Sequence, residues 1–247
     1  VQPGNVGDRL PTTPTVGALI ERRLAQLSPA ALRLARVAAL AGADFSAALA
    51  AHALQSHPLD LTEAWVELER AHVLRGAGFV HDLVREVAAR AVPGAIAELL
   101  HRGIAEYLEA HSAPPARIAQ HYAEAGAWQQ AANFHLRAAN DARQASRRAE
   151  EVEHREAAVT CFDRAGDAEA AFEARCASVE SLILVRGVEH AQRVIEGMLG
   201  AARGDAQRAA ALTARATAAV MAGDHVTGVA SAREGLGMAL IVIGVIV

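Results

Sequence analysis

The chain has 247 residues, enough for one large or two ordinary domains, and is 52% hydrophobic but only 4% aromatic. Its core must therefore be mostly Ala, Leu and Val, and alanine on that scale favours helix. The formal net charge of −4 argues against a general attraction to nucleic acid or anionic membrane, and two cysteines (Cys161 and Cys176) make no disulfide framework, which fits a cytoplasmic protein.

Residues 1–14 are rich in Pro, Gly and Thr and read as a linker, with no basic stretch leading an apolar core as a signal peptide would have. The start at Val1 and the closing "MALIVIGVIV" predict a piece of a longer chain. About ten apolar residues fall short of the ~20 that span a bilayer. Residues 241–247 therefore read as an apolar tail, either a truncated helix or an artificial terminus. No membrane contact is expected.

Helix signals begin at 16–27, where Val16, Leu19, Ile20, Leu24 and Leu27 recur at helical spacing. In "LSPAALRLARVAALAG", Ser28 is an N-cap, Pro29 takes the first helical position and Gly42 ends the helix. A short helix covers about 46–55. In "LDLTEAWVELERAHVL", Asp60 and Glu63 make a capping box, and Leu61, Ala64, Trp65 and Leu68 a buried stripe. The period then changes. Residues 73–75 and 78–80 read as two very short extended pieces joined through Gly76-Ala77, a tight hairpin. The helix of "GFVHDLVREVAARAV" follows, with Val80, Leu83, Val84, Val87 and Ala91 on one face. Helices, a minimal hairpin and a further helix describe a winged-helix-like domain. With the connecting helix "AIAELLHRGIAEYLEAH" it covers 15–112.

Pro114-Pro115 breaks the chain. "RIAQHYAEAGAWQQAANFHLRAAND" reads as a helical hairpin turning at Gly126. Its Ala119, Tyr122, Gly126, Trp128, Ala131 and Ala138 fall where a tetratricopeptide repeat places small and aromatic residues, and it resembles one. Phe162, Gly166 and Ala171 repeat the scheme, and the stretch around Gly223 repeats it more weakly. Residues 113–240 are thus expected to be a degenerate array of tetratricopeptide-like hairpins. The fold class is all-α. Ring burial at Trp128 and a concave face that binds a protein or small-molecule effector are expected of the array.

Every one of the 24 basic residues is Arg, so the chain contains no Gly-x-x-x-x-Gly-Lys loop. No nucleophile elbow is present, and the histidines have no zinc spacing. Neither catalysis nor a metal is expected. The run 137–155 carries Arg nearly balanced by Asp141, Glu150, Glu151 and Glu153, and reads as a solvated helix face. The helix that would enter a DNA groove sets Asp82 and Glu86 against Arg85 and Arg90, which leaves no surplus cation for phosphate.

His81 and Asp82 stand where the hairpin hands over to a helix. Asp82 can cap or complement the helix and His81 can simply fill the corner. The same corner can also hold a phosphate, because a helix N-terminus offers unpaired N–H groups. "FVHDLVREVAARAV" resembles the Met-His-Asp motif in the winged-helix domain of STAND ATPases, the signal-transduction NTPases that include plant immune receptors and large bacterial LuxR-type regulators. Flanking segments over 10–139 resemble the same proteins. Val80 stands where the motif has Met.

The resemblance implies that His81 contacts the β-phosphate of ADP held by an upstream nucleotide-binding domain, with Asp82 as the motif acid. ADP and ATP would belong to the full-length protein, with no cofactor held by this chain alone. The implied function is the non-catalytic, partner-binding portion of a bacterial transcriptional regulator. The alternatives are a free-standing helical-repeat scaffold with no nucleotide link and, less favoured by the residues, a His-Asp hydrolase.

Overall fold

The computed structural model describes residues 16–242. The linker at 1–14 lies outside them, as does the tail expected at 241–247 except for residues 241 and 242, which end the last helix. Among the described residues the protein is helical apart from one two-stranded hairpin. It divides into two compact units between Tyr107 and Leu108.

In the first unit, helix α1 is Val16–Ala25, α2 is Pro29–Ala41, α3 is Ala47–Ala53 and α4 is Thr62–Arg70. Strands β1 (Leu74–Arg75) and β2 (Gly78–Phe79) follow, then α5 (Asp82–Arg90) and the start of α6 (Gly94–Ala110). Helix α2 is central and packs on α3, α4 and α5. Leu34, Leu49, Leu68, Val73 and Val84 are core side chains.

The start of α2 forms as its letters require. The Ser28 hydroxyl accepts from the Ala31 N–H at 3.2 Å. Both the Ser28 N–H and hydroxyl donate to the Glu67 carboxylate, at 2.6 and 2.5 Å, so α4 clamps the cap of α2. These two bonds hold the Glu67 carboxyl below its ordinary range. Gly42 closes α2 at φ +56°.

The hairpin pairs Leu74 with Phe79 and Arg75 with Gly78, which leaves Gly76-Ala77 as a two-residue loop. Gly76 has φ +58° and Ala77 does not share the positive sign, the sign pattern of a type II′ turn.

Three expectations need correction here. The capping box lies one turn earlier than Asp60–Glu63. The His57 N–H donates to Asp60 at 3.1 Å, and the His57 ring accepts from the Leu59 N–H at 3.3 Å. In α1 only Leu24 is buried, while Val16 and Leu19 are exposed. In α5 the buried face is Val84, Val87 and Ala88, with Leu83 and Ala91 exposed. Helical spacing says which residues share a face but not how wide a neighbour covers it.

Among the described residues the second unit contains the end of α6 and seven further helices. These are α7 (Pro115–Glu124), α8 (Trp128–Gln144), α9 (Arg148–Ala165), α10 (Ala168–Arg186), α11 (Val188–Ala201), α12 (Asp205–Met221) and α13 (His225–Val242). From α7 on, each packs on the next, and α10 also packs on α12. Short connections make sequential helices antiparallel, so α10 and α12 run in the same direction. Val152, Leu182, Ile195 and Ala218, from four successive helices, belong to one core cluster.

Four of the corners from α7 onward share one turn, which also follows α6 at Ser112. Gly126, Ser146, Gly166 and Gly223 all adopt left-handed φ, between +59° and +80°. Each donates its N–H three residues back, and the following residue donates five back, as Ala127 does to Tyr122 at 2.9 Å. This is the Schellman arrangement, which satisfies carbonyls that the helix end would leave open.

Helices α12 and α13 approach through small residues. A Cβ at Gly235 would meet the Ala209 carbonyl oxygen and Leu212 Cβ at 3.2 Å, and one at Gly228 would meet Val220 Cγ2 at 2.9 Å. Buried Ser231 lies between them and accepts from Arg215 Nε at 2.9 Å.

Candidate functional site

His81 takes the N-cap position of α5, in extended backbone, and its ring makes no capping hydrogen bond. The ring is exposed, and so is Asp82 in the first turn, where its carboxylate complements the positive helix end. Asp82 does not itself occupy the cap position. The β2–α5 corner thus presents an imidazole at a helix N-terminus, with one carboxylate one residue further on.

The other singled-out residues lie in the helical hairpins of the second unit. Tyr122 is buried, stacks on Phe134 at 5.6 Å and donates its hydroxyl to Glu109 at 2.7 Å. Ala131 and Phe162 are buried, and Gly126 and Gly166 make the left-handed turns already described. Trp128 departs from expectation. Its ring is half-buried, and its open face is covered by the Arg164 guanidinium at 4.5 Å. A cation over an indole face replaces the hydrocarbon the sequence pattern led one to expect.

The run 137–155 also departs from its reading as a solvated face. Glu151 has 0% exposure. Its carboxylate accepts from Arg155 Nε at 3.2 Å, Arg148 Nη1 at 2.9 Å and Ser181 Oγ at 2.7 Å. Buried Arg155 also reaches Asn140 Oδ1 at 3.4 Å. This network joins α8, α9 and α10. Burial by itself would raise the Glu151 pKa; the bonds from Ser181, Arg148 and Arg155 outweigh it and hold the group below its ordinary value. The sequence carries no signal for this, because Asn140 and Ser181 are remote from Glu151 and balanced charge on a helix looks the same in water or in a core.

One turn beyond Glu151, on the same hairpin, His135 and His154 bring their Nδ1 atoms within 3.4 Å. Burial, and then His154, push the His135 pKa down to about 4. Among the described residues no three His, Cys, Asp or Glu side chains group as metal ligands, and no helix is long and apolar enough to cross a membrane.

A groove of about 650 Å3 runs along the seam of α10 and α12. Phe172, Cys176, Val179, Ala210 and Ala214 contribute its apolar surface. Glu169, Glu173 and Glu180 line the α10 side; Gln207, Thr213 and Thr217 line the α12 side. Arg143 of α8 stands with Glu180 at 3.4 Å. Burial, reinforced by the Glu173 charge, pushes the Cys176 thiol up to about 11, so it stays protonated and unreactive near neutrality. Sequence reasoning did not find this groove, which depends on two helices separated by a third.

No protein-family model, curated protein or solved structure matches the chain.

Proposed function

We propose that this chain is the non-catalytic regulatory portion of a bacterial STAND-type ATPase, with a winged-helix-like first unit and a tetratricopeptide-like second unit. The first couples to an upstream nucleotide-binding domain. The second is the arm that receives a protein or small-molecule effector. The output would be transcriptional and the setting cytoplasmic.

The observation that carries the reading is the placement of His81. It is exposed at the N-cap of α5, directly after a two-residue-loop hairpin, and its ring is not consumed by the helix it starts. A ring so placed can donate to a phosphate oxygen aided by the helix end. ADP between the upstream domain and His81 would favour a closed state, and an effector that binds the open state better would shift the population.

The test is nucleotide retention by the full-length protein. His81→Ala removes one hydrogen bond to a charged group, ~1.5–3 kcal/mol, and should weaken ADP retention roughly 10- to 150-fold and raise activity without inducer. A variant that holds ADP as tightly as the parent defeats the sensor role. The alternative, a free-standing helical-repeat scaffold with no nucleotide link, draws support from the α10/α12 groove, which needs no nucleotide to act as a binding surface.

A further inference from the structure

We propose that the groove between α10 and α12 receives a basic amphipathic helix. This deepens the partner-binding half of the function proposed above and is independent of its nucleotide half.

The groove has the dimensions for such a guest. Glu169 and Glu180 mark three turns of α10, ~16 Å at the rise of an α-helix, which matches about three turns of a second helix laid alongside. Ala177, Ala206 and Ala210 line it without bulk, so a guest backbone can come close. Phe172, Val179 and Ala214 are buried in its floor, and half-buried Cys176 and Ala210 with exposed Ala177 and Ala206 offer apolar surface to a stripe of Leu-like side chains. An amphipathic helix docks in this way, by anchors on successive turns.

Charge selects the sign of the guest. The two walls differ: α10 presents three carboxylates, whereas α12 presents an amide and two hydroxyls. Thr213 and Thr217 donate their hydroxyls to the carbonyls of Ala209 and Thr213 in their own helix, at 2.9 and 3.1 Å. Glu180 is matched by Arg143. Glu169 and Glu173 are exposed and face the groove one helical turn apart. A guest with basic residues four apart along one edge would pair with both. An acidic guest would meet repulsion at Glu169 and Glu173, which is how charge complementarity selects a partner.

The test uses three synthetic helical peptides of about fourteen residues and the intact chain. One carries Leu at every third or fourth position with Arg along one edge. The second replaces each Arg by Glu, and the third replaces each Leu by Ser. Fluorescence anisotropy should show the first binding at least tenfold more tightly than either other peptide. The Glu169→Gln, Glu173→Gln double variant, altered only at exposed positions, should lose about tenfold for the first peptide while its circular dichroism is unchanged. Equal binding of the Arg and Glu peptides, equal binding of the Leu and Ser peptides, or an unaffected double variant would each overturn the proposal. So would no binding at millimolar peptide. None of these outcomes bears on ADP retention by His81→Ala, so the two proposals fail separately.

Discussion

Glu151 is sealed from water inside a three-helix junction, and three polar partners, Arg148, Ser181 and Asn140, are arranged around it and Arg155. Removing one member of a buried ion pair strands the other without compensation. Glu151→Gln should therefore cost ~3–5 kcal/mol, read as a shift in the urea midpoint; a cost under about 1 kcal/mol would place the group in solvent. Ser146 sits at φ +59° where three sister corners have glycine. Ser146→Gly should stabilise by about 0.5–1 kcal/mol through relief of left-handed strain, less the extra freedom glycine has when unfolded. Trp128 is half-buried under Arg164 and Phe162 is buried. Phe162→Ala should cost ~3–5 kcal/mol and Trp128→Ala about half that; equal costs would contradict the observed burial. At this scale the sequence was readable wherever a residue acts on its own neighbours. The Ser28 cap and the Gly126 turn are of that kind. Glu151 was not, because its partners arrive from other helices.

Helix α13 shows how one element is held by what it lacks. Gly228 and Gly235 let it settle against α12, and no side chain larger than hydrogen fits at Gly235 without displacing the Ala209 carbonyl or Leu212. Gly235→Leu should destabilise by ~1–3 kcal/mol through overpacking, and amide exchange in α13 should rise before that in α10. Uniform loss of protection along the unit would mean that the seam is not local. The order of the elements up to the turn at Gly126 was legible from caps, breakers and period, and so was the hairpin at Gly76; α11 was not. Face width was not. Leu19 and Leu83 continue a helical stripe yet stand in solvent, since the period is set by the helix and the burial by its neighbour. The groove escaped for a related reason: the sequence shows α10 and α12 only as parts of separate hairpins, and it is their meeting across α11 that leaves an open seam.

For the molecule as a whole, acid is the revealing stress. Burial, and then Arg117, push the His121 pKa from 6.5 to about 4, and burial with His154 does the same at His135. The unfolded chain takes up protons between those two values that the folded chain refuses. Stability is therefore full above about pH 6.5 and falls as pH drops toward 4, with Glu151 adding its loss below its ordinary 4.5. The melting temperature of the chain should decline through this window; a flat profile from 6.5 to 4 would contradict it. Packing in the second unit runs almost wholly between sequence neighbours, α7 on α8 through α12 on α13. Such an array is held together link by link. Under tension applied at its C-terminal end it should not rupture as a block. Helices should peel away in order from α13 inward, at low and nearly constant force, until the pull reaches the junction that Glu151 ties across α8, α9 and α10. That tie would act as a mechanical stop, where the force must rise before the chain lengthens further.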